Sequence, residues 1–161
     1  MPAGPGLLTA VIAPVYRKLT ATDFSLKMLK KAEKNCAGLH NIVFSQADIT
    51  ALPYPAGSFD KVAAGNVIHL LDDPTKALGE LNRVCKDGGV LIIPTYMNKD
   101  SNGKTSGFAK AAGKAGAGFK RQFTTDSYKR FFLDAGYHDV KILLADGRIP
   151  CAVAVMKKVL K

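Results

Sequence analysis

The chain has 161 residues, enough for one domain with a real core and too few for two ordinary ones, and its 47% apolar and 22% charged content is that of a soluble globular protein. The net charge of +10 would suit a polyanion, but the lysines are spread along the chain without a dense basic block, which argues against a nucleic-acid partner. Cys36, Cys85 and Cys151 are odd in number and widely spaced, which supports neither a disulfide framework nor a zinc site, so no metal is expected, and a reduced, cytoplasmic setting fits best.

Met1 to Gly6 is Gly/Pro-rich and reads as a loop, not as a charged signal-peptide start. Leu7, Leu8, Val11 and Ile12 recur at helical spacing, and Pro14 closes that segment. Lys18 to Asp23 alternates apolar and β-branched residues and predicts a strand that ends in an acid. Ser25 then caps an amphipathic helix to about Ala37, with Gly38 as its stop. Asn41 to Asp48 predicts a second strand, again ending in an acid. A loop follows through Pro53 and Pro55, and Ser58 to Gly65 predicts a third strand.

Pro74 opens a helix to about Lys86, with Leu78 and Leu81 inward, and Asp87-Gly88-Gly89 predicts a turn. Val90 to Pro94 is a continuous apolar strand, as expected of one buried on both faces. Residues 98–118 change composition towards Gly, Ala and Lys and predict either a mobile excursion or a loosely formed helix, directly after a strand's carboxyl end. Thr124 to Ala135 predicts a helix stopped by Gly136. Two strands, Tyr137 to Ala145 and Ile149 to Met156, flank the turn signal Asp146-Gly147 and predict an antiparallel hairpin.

This alternation predicts an α/β fold with a mostly parallel sheet flanked by helices and a C-terminal antiparallel hairpin. Ligands in such folds sit beyond the carboxyl ends of the strands, where Asp23, Asp48, Asn66 and Thr95 fall. An acid between a strand and a helix can accept two ribose hydroxyls at once; the plainer role of Asp23 is to help start the helix.

The stretches Gly4-Pro5-Gly6-Leu7-Leu8, Ala21-Thr22-Asp23-Phe24-Ser25, Gln46-Ala47-Asp48-Ile49, Leu52-Pro53-Tyr54, Ser58-Phe59-Asp60-Lys61-Val62, Asn66-Val67-Ile68-His69-Leu70-Leu71 and Leu81 to Gly89 resemble, in this order, a class I S-adenosylmethionine-dependent methyltransferase. The type is similar to the ubiquinone/menaquinone small-molecule enzymes. The resemblance implies a Rossmann-like fold, S-adenosylmethionine as cofactor and S-adenosylhomocysteine as product. By the same resemblance Asp23 would bind the ribose, Phe24 would pack on the adenine, Asp48 would accept its amino group with Ile49 beside the ring, and Gly65 and Asn66 would line the methionine end. Gly4 and Gly6 would let backbone approach the cofactor.

The family has a strand and an acid before that glycine loop, whereas this chain begins within it. A single methyltransferase domain, 1–161, lacking its first strand is therefore expected, with free inner edges on the strands at 18–23 and 58–65. Either these two strands pair directly, or a segment of a second copy fills the slot in a homo-oligomer, or the chain is a portion of a longer protein, which is the favoured expectation.

Methyl transfer is a direct displacement and needs no covalent protein nucleophile. His69, after the third predicted strand, is the candidate catalytic base, or else a residue that shapes the pocket. Tyr96 and Met97 either line an acceptor pocket or pack in the core. Asp72 and Asp73 read as helix caps, Asp60 as structural, and His40 and His138 as surface residues. The expected partner is a small-molecule or lipidic acceptor, with no membrane span. A non-catalytic remnant with impaired cofactor binding is the alternative, and a nucleic-acid methyltransferase a weaker one.

Overall fold

The computed structural model describes residues 4–97, 120–145 and 150–158. They fall into two compact units, Met1–Tyr54 and Pro55–Lys161. The expected excursion at 98–118 and the turn at Asp146-Gly147 lie outside the described residues.

In the first unit, helix α1 (Leu7–Ile12) runs into a 3-10 turn (Ala13–Val15), followed by strand β1 (Leu19–Asp23), helix α2 (Leu26–Asn35) and strand β2 (Ile42–Gln46). β1 and β2 pair in parallel, with Leu19 opposite Ile42 and Asp23 opposite Gln46. Ser25 caps α2, its hydroxyl accepting the Met28 N–H at 3.4 Å. Leu29 and Ala32 turn inward onto Ala21, with Ile42 and Phe44 packed against them. This is the i, i+3 face that the sequence marks as apolar.

Two details differ from expectation. α2 ends at Asn35, short of Gly38. On α1 the apolar spacing does not mark the buried face: Thr9 and Ala13 are buried, while Leu7 and Val11 are exposed.

The second unit holds strand β3 (Phe59–Ala63), a 3-10 turn (Ile68–Leu70), helix α3 (Pro74–Val84), strand β4 (Cys85–Tyr96), helix α4 (Thr125–Asp134) and strands β5 (Val140–Ala145) and β6 (Cys151–Lys157). The sheet order is β3-β4-β6-β5. β3 and β4 are parallel, whereas β6 is antiparallel to both β4 and β5. Each unit has its own ladder: β1 pairs with β2 in the first, and β3 with β4 in the second.

The expected turn at Asp87-Gly88-Gly89 is absorbed into β4 as an irregularity. Phe59 pairs with Cys85, but Lys61 already pairs with Val90, so the residues between loop out, with Gly88 at φ 73. Asp73 caps α3, its carboxylate accepting the Lys76 N–H at 2.9 Å, and Pro74 takes the first position, where its missing N–H costs nothing. Thr124 and Ser127 form a reciprocal capping box at α4, and Gly136, at φ 91, follows its end. α4 packs through Tyr128 and Phe132, fully buried and edge-to-face at 4.9 Å. The phenols of Tyr128 and Tyr137 are satisfied: Tyr128 donates to the Ile93 carbonyl, and Tyr137 to Asn82 Oδ1 at 2.8 Å.

Candidate functional site

The glycine loop, the end of β1 and the end of β2 all belong to the first unit. Asp23 joins two of them. Its Oδ2 accepts the Gly4 N–H at 3.0 Å, and its Oδ1 accepts the Ser25 N–H at 2.9 Å. It therefore ties the loop to β1 and helps to start α2 at once. Two backbone donors leave a carboxylate about half of its roughly four acceptor sites. The next side chain, Phe24, is 74% exposed, an uncommon state for a large aromatic ring, and its backbone carbonyl is held by the Gln46 side-chain amide at 2.9 Å.

Asp48 is exposed, and its Oδ1 accepts both the N–H and the Oγ1–H of Thr50 at 2.8 Å. This closes an Asx turn that fixes the carboxylate's direction. Ile49 beside it is buried.

Behind the glycine loop stands the last turn of α2. Asn35 Nδ2 donates to the Pro5 carbonyl at 2.8 Å, and the Cys36 thiol donates to the Gly6 carbonyl at 3.6 Å. Gly6 has φ 88, and a Cβ there would lie 2.8 Å from the Ala32 Cα, so both the dihedral and the space demand glycine. Burial pushes the Cys36 thiol up from its ordinary range, so it stays protonated and able to donate.

In the second unit, backbone bonds carry the β3–β4 ladder past the end of β3. The Ala64 N–H reaches the Ile92 carbonyl at 3.0 Å, and the Asn66 N–H reaches the Pro94 carbonyl at 2.8 Å. Asn66 then turns the chain with φ 51, a left-handed conformation that asparagine tolerates better than most residues. Its Oδ1 is buried without a hydrogen-bond partner among the described residues. Gly65 precedes it, half-buried.

His69 lies in the following 3-10 turn, 2% exposed, with its ring 5.8 Å from that of Tyr96. Its carbonyl accepts the Arg121 N–H at 3.1 Å. Burial lowers its pKa to about 4, so the imidazole is neutral at physiological pH. Met97 is buried, whereas Tyr96 is only partly so.

The structure thus gathers Gly4, Gly6, Asp23, Phe24, Asp48 and Ile49 in one unit, and Gly65, Asn66 and His69 in the other. Asp73 is a helix cap, Asp72 pairs with Lys120, and Asp60 pairs with Lys86 at 2.7 Å. His40 and His138 are exposed. All three cysteines are free, and among the described residues no cluster of His, Cys, Asp and Glu could hold a metal. No described helix is long and apolar enough to cross a membrane.

Sequence reasoning missed Gln46, Asn35, Cys36 and Ala32. Their partners lie 22 to 30 residues away for the three that form hydrogen bonds, beyond any local pattern.

The family profile described as "Methyltransferase domain" matches residues 2–93. The chain is 37% identical over 91 residues to a demethylmenaquinone methyltransferase of Clavibacter sepedonicus, covering 56% of this chain and 37% of that protein. It is 30% identical over 101 residues to a phosphatidylethanolamine N-methyltransferase of Cereibacter sphaeroides, covering 59% and 50%. It thus spans half or less of the length of these curated relatives. Its fold is similar to that of a crystallised SAM-dependent methyltransferase from Aquifex aeolicus, with TM-score 0.74 and 18% identity over 98% of this chain and 79% of that one.

Proposed function

Given that the chain belongs to the methyltransferase domain family, we propose that it is a single domain that binds S-adenosylmethionine and serves an enzyme methylating a small-molecule or lipidic acceptor. The observation that carries this reading is the carboxylate of Asp23. It stands at the carboxyl end of β1, bonded to the glycine loop and to the start of α2, with acceptor capacity left over.

The residues present fit the cofactor. Gly6 seats the loop against α2, and at Gly4 nothing lies within 4 Å of where a Cβ would stand. Phe24 offers an exposed apolar face, and Asn66 Oδ1 is a buried acceptor awaiting a donor. When bound, the cofactor would supply an electrophilic methyl group on a sulfonium.

The protein's part is binding and alignment. Asp23 would accept ribose hydroxyls. Phe24 would stack on the adenine, with Ile49 beside the ring, and Asp48 would accept the adenine amino group. Gly65 and Asn66 would receive the methionine end, and Gly4 and Gly6 would bring backbone N–H and carbonyl groups close. His69 would take a proton from an acceptor hydroxyl. A group titrating near 4 is a weak base at neutral pH, so the driving force for that transfer is small, and much of the role of His69 would be to shape the acceptor side with Tyr96.

The quinone and phospholipid acceptors in the relatives' names support an acceptor of small-molecule or lipid type. Calorimetric titration of the full-length protein with S-adenosylhomocysteine tests the cofactor. Transfer of a labelled methyl group to a demethylated quinone or to phosphatidylethanolamine tests the acceptor. A folded protein that binds no S-adenosylhomocysteine would overturn the reading.

A further inference from the structure

Building on the reading that residues 4–6 form the cofactor loop, we propose that Asn35, in the last turn of α2, is a positioning residue that holds this loop in its receiving shape before the cofactor arrives. Its Nδ2 donates to the Pro5 carbonyl at 2.8 Å. The residues around it act on the same loop. The Cys36 thiol donates to the Gly6 carbonyl at 3.6 Å, and the Ala32 backbone fills the space a Cβ on Gly6 would need, 2.8 Å away. From the other side, Asp23 takes the Gly4 N–H at 3.0 Å. Three consecutive loop residues are therefore bonded to two separate elements with no ligand involved.

A Gly-Pro-Gly loop gains much from such fixing. Glycine loses more conformational freedom on ordering than any other residue, and a binding event that must order it is weakened accordingly. A loop ordered in advance raises affinity without any contact between Asn35 and the ligand. Asn35 also suits a test better than its neighbours. It is exposed, so its truncation leaves packing intact, whereas Ala32 and Cys36 are buried.

The test uses Asn35→Ala and Asn35→Asp in the full-length protein. Asn35→Asp keeps the shape but replaces the donor with an acceptor facing a carbonyl oxygen. Two quantities are read: hydrogen exchange of the Gly4 amide without ligand, and calorimetric affinity for S-adenosylhomocysteine. The expected result is faster exchange at Gly4 in both variants, unchanged exchange at Leu29 in the core, and affinity reduced about two- to tenfold, the range of one hydrogen bond, more for Asn35→Asp. Unchanged exchange at Gly4 would overturn the proposal, as would an equal loss of protection at Leu29, which signals general destabilisation. So would unchanged affinity in a protein that binds the ligand. If the wild-type protein binds no S-adenosylhomocysteine, the functional reading fails separately, and exchange at Gly4 alone still decides whether Asn35 holds the loop.

Discussion

The carboxylate of Asp23 accepts the backbone N–H of Gly4 at 3.0 Å, across 19 residues of sequence. The same side chain accepts the Ser25 N–H at 2.9 Å. One residue therefore couples the glycine loop, the end of β1 and the start of α2. Asp23→Ala removes the charged acceptor proposed to bind the ribose and also the bond to the Gly4 N–H. Cofactor affinity is expected to fall by about 1–3 kcal/mol, measured by calorimetric titration. Unchanged affinity in a folded variant would remove Asp23 from the site.

Gly6→Ala places a Cβ 2.8 Å from the Ala32 Cα at a residue with φ 88. Neither the dihedral nor the contact can be relieved by rotating a side chain. A loss of about 1–3 kcal/mol in denaturant-unfolding stability is expected, with weaker cofactor binding. Gly4→Ala meets open space at φ 48 and should be the milder change. Equal effects at the two positions would show that the contact with α2 does not matter.

Asp48 has its Oδ1 engaged by both donors of Thr50. In Asp48→Asn the amide oxygen should keep those bonds, which turns the NH2 group outward in place of an acceptor. Binding of adenine-bearing ligands should weaken by about 1–3 kcal/mol, and analogues lacking the exocyclic amino group should lose less. Titration with a matched pair of analogues checks this, and an unchanged preference between them would refute it.

His69 gives a pH signature. Its folded pKa is lowered to about 4, while an unfolded histidine titrates near 6.5. Between those values the unfolded state binds more protons than the folded one, so stability rises with pH. The contribution of His69 is full above about 6.5 and is lost progressively as the pH falls towards 4, amounting to about 3 kcal/mol at most. Urea unfolding of the wild-type protein and His69→Gln across this range should show a shallower slope in the variant. Identical slopes would mean that His69 is not buried as a neutral group.

Local signals made most of the elements readable. Ser25, Asp73 and Thr124 cap the helices that they were expected to open, because a cap bonds only two or three residues ahead. Alternation along β1 and β2 placed Asp23 and Asp48 at or just beyond strand ends, because the period of a strand is fixed by its backbone. The boundaries moved where distant partners intervened. β4 runs through the Gly88-Gly89 signal, since β3 pairs with it at Cys85 before the signal and again from Val90 after it, where β6 pairs as well.

The sequence by itself determined which residue types stand at the strand ends, and with them the family and the chemistry that Asp23, Phe24 and Asp48 can offer. Only the tertiary structure decided how those groups are held. Asn35 and Cys36 show no pattern that marks them, because their bonds to Pro5 and Gly6 span 30 residues. The burial that lowers the pKa of His69 is a property of the folded chain, in which its ring lies 5.8 Å from that of Tyr96 on β4. At α1, too, burial falls on Thr9, and on Ala13 just past the helix end, and not on the larger apolar side chains of Leu7 and Val11. Periodicity and capping are short-range and are written along the chain. Desolvation and close packing depend on which distant segments meet, and only the folded chain fixes that.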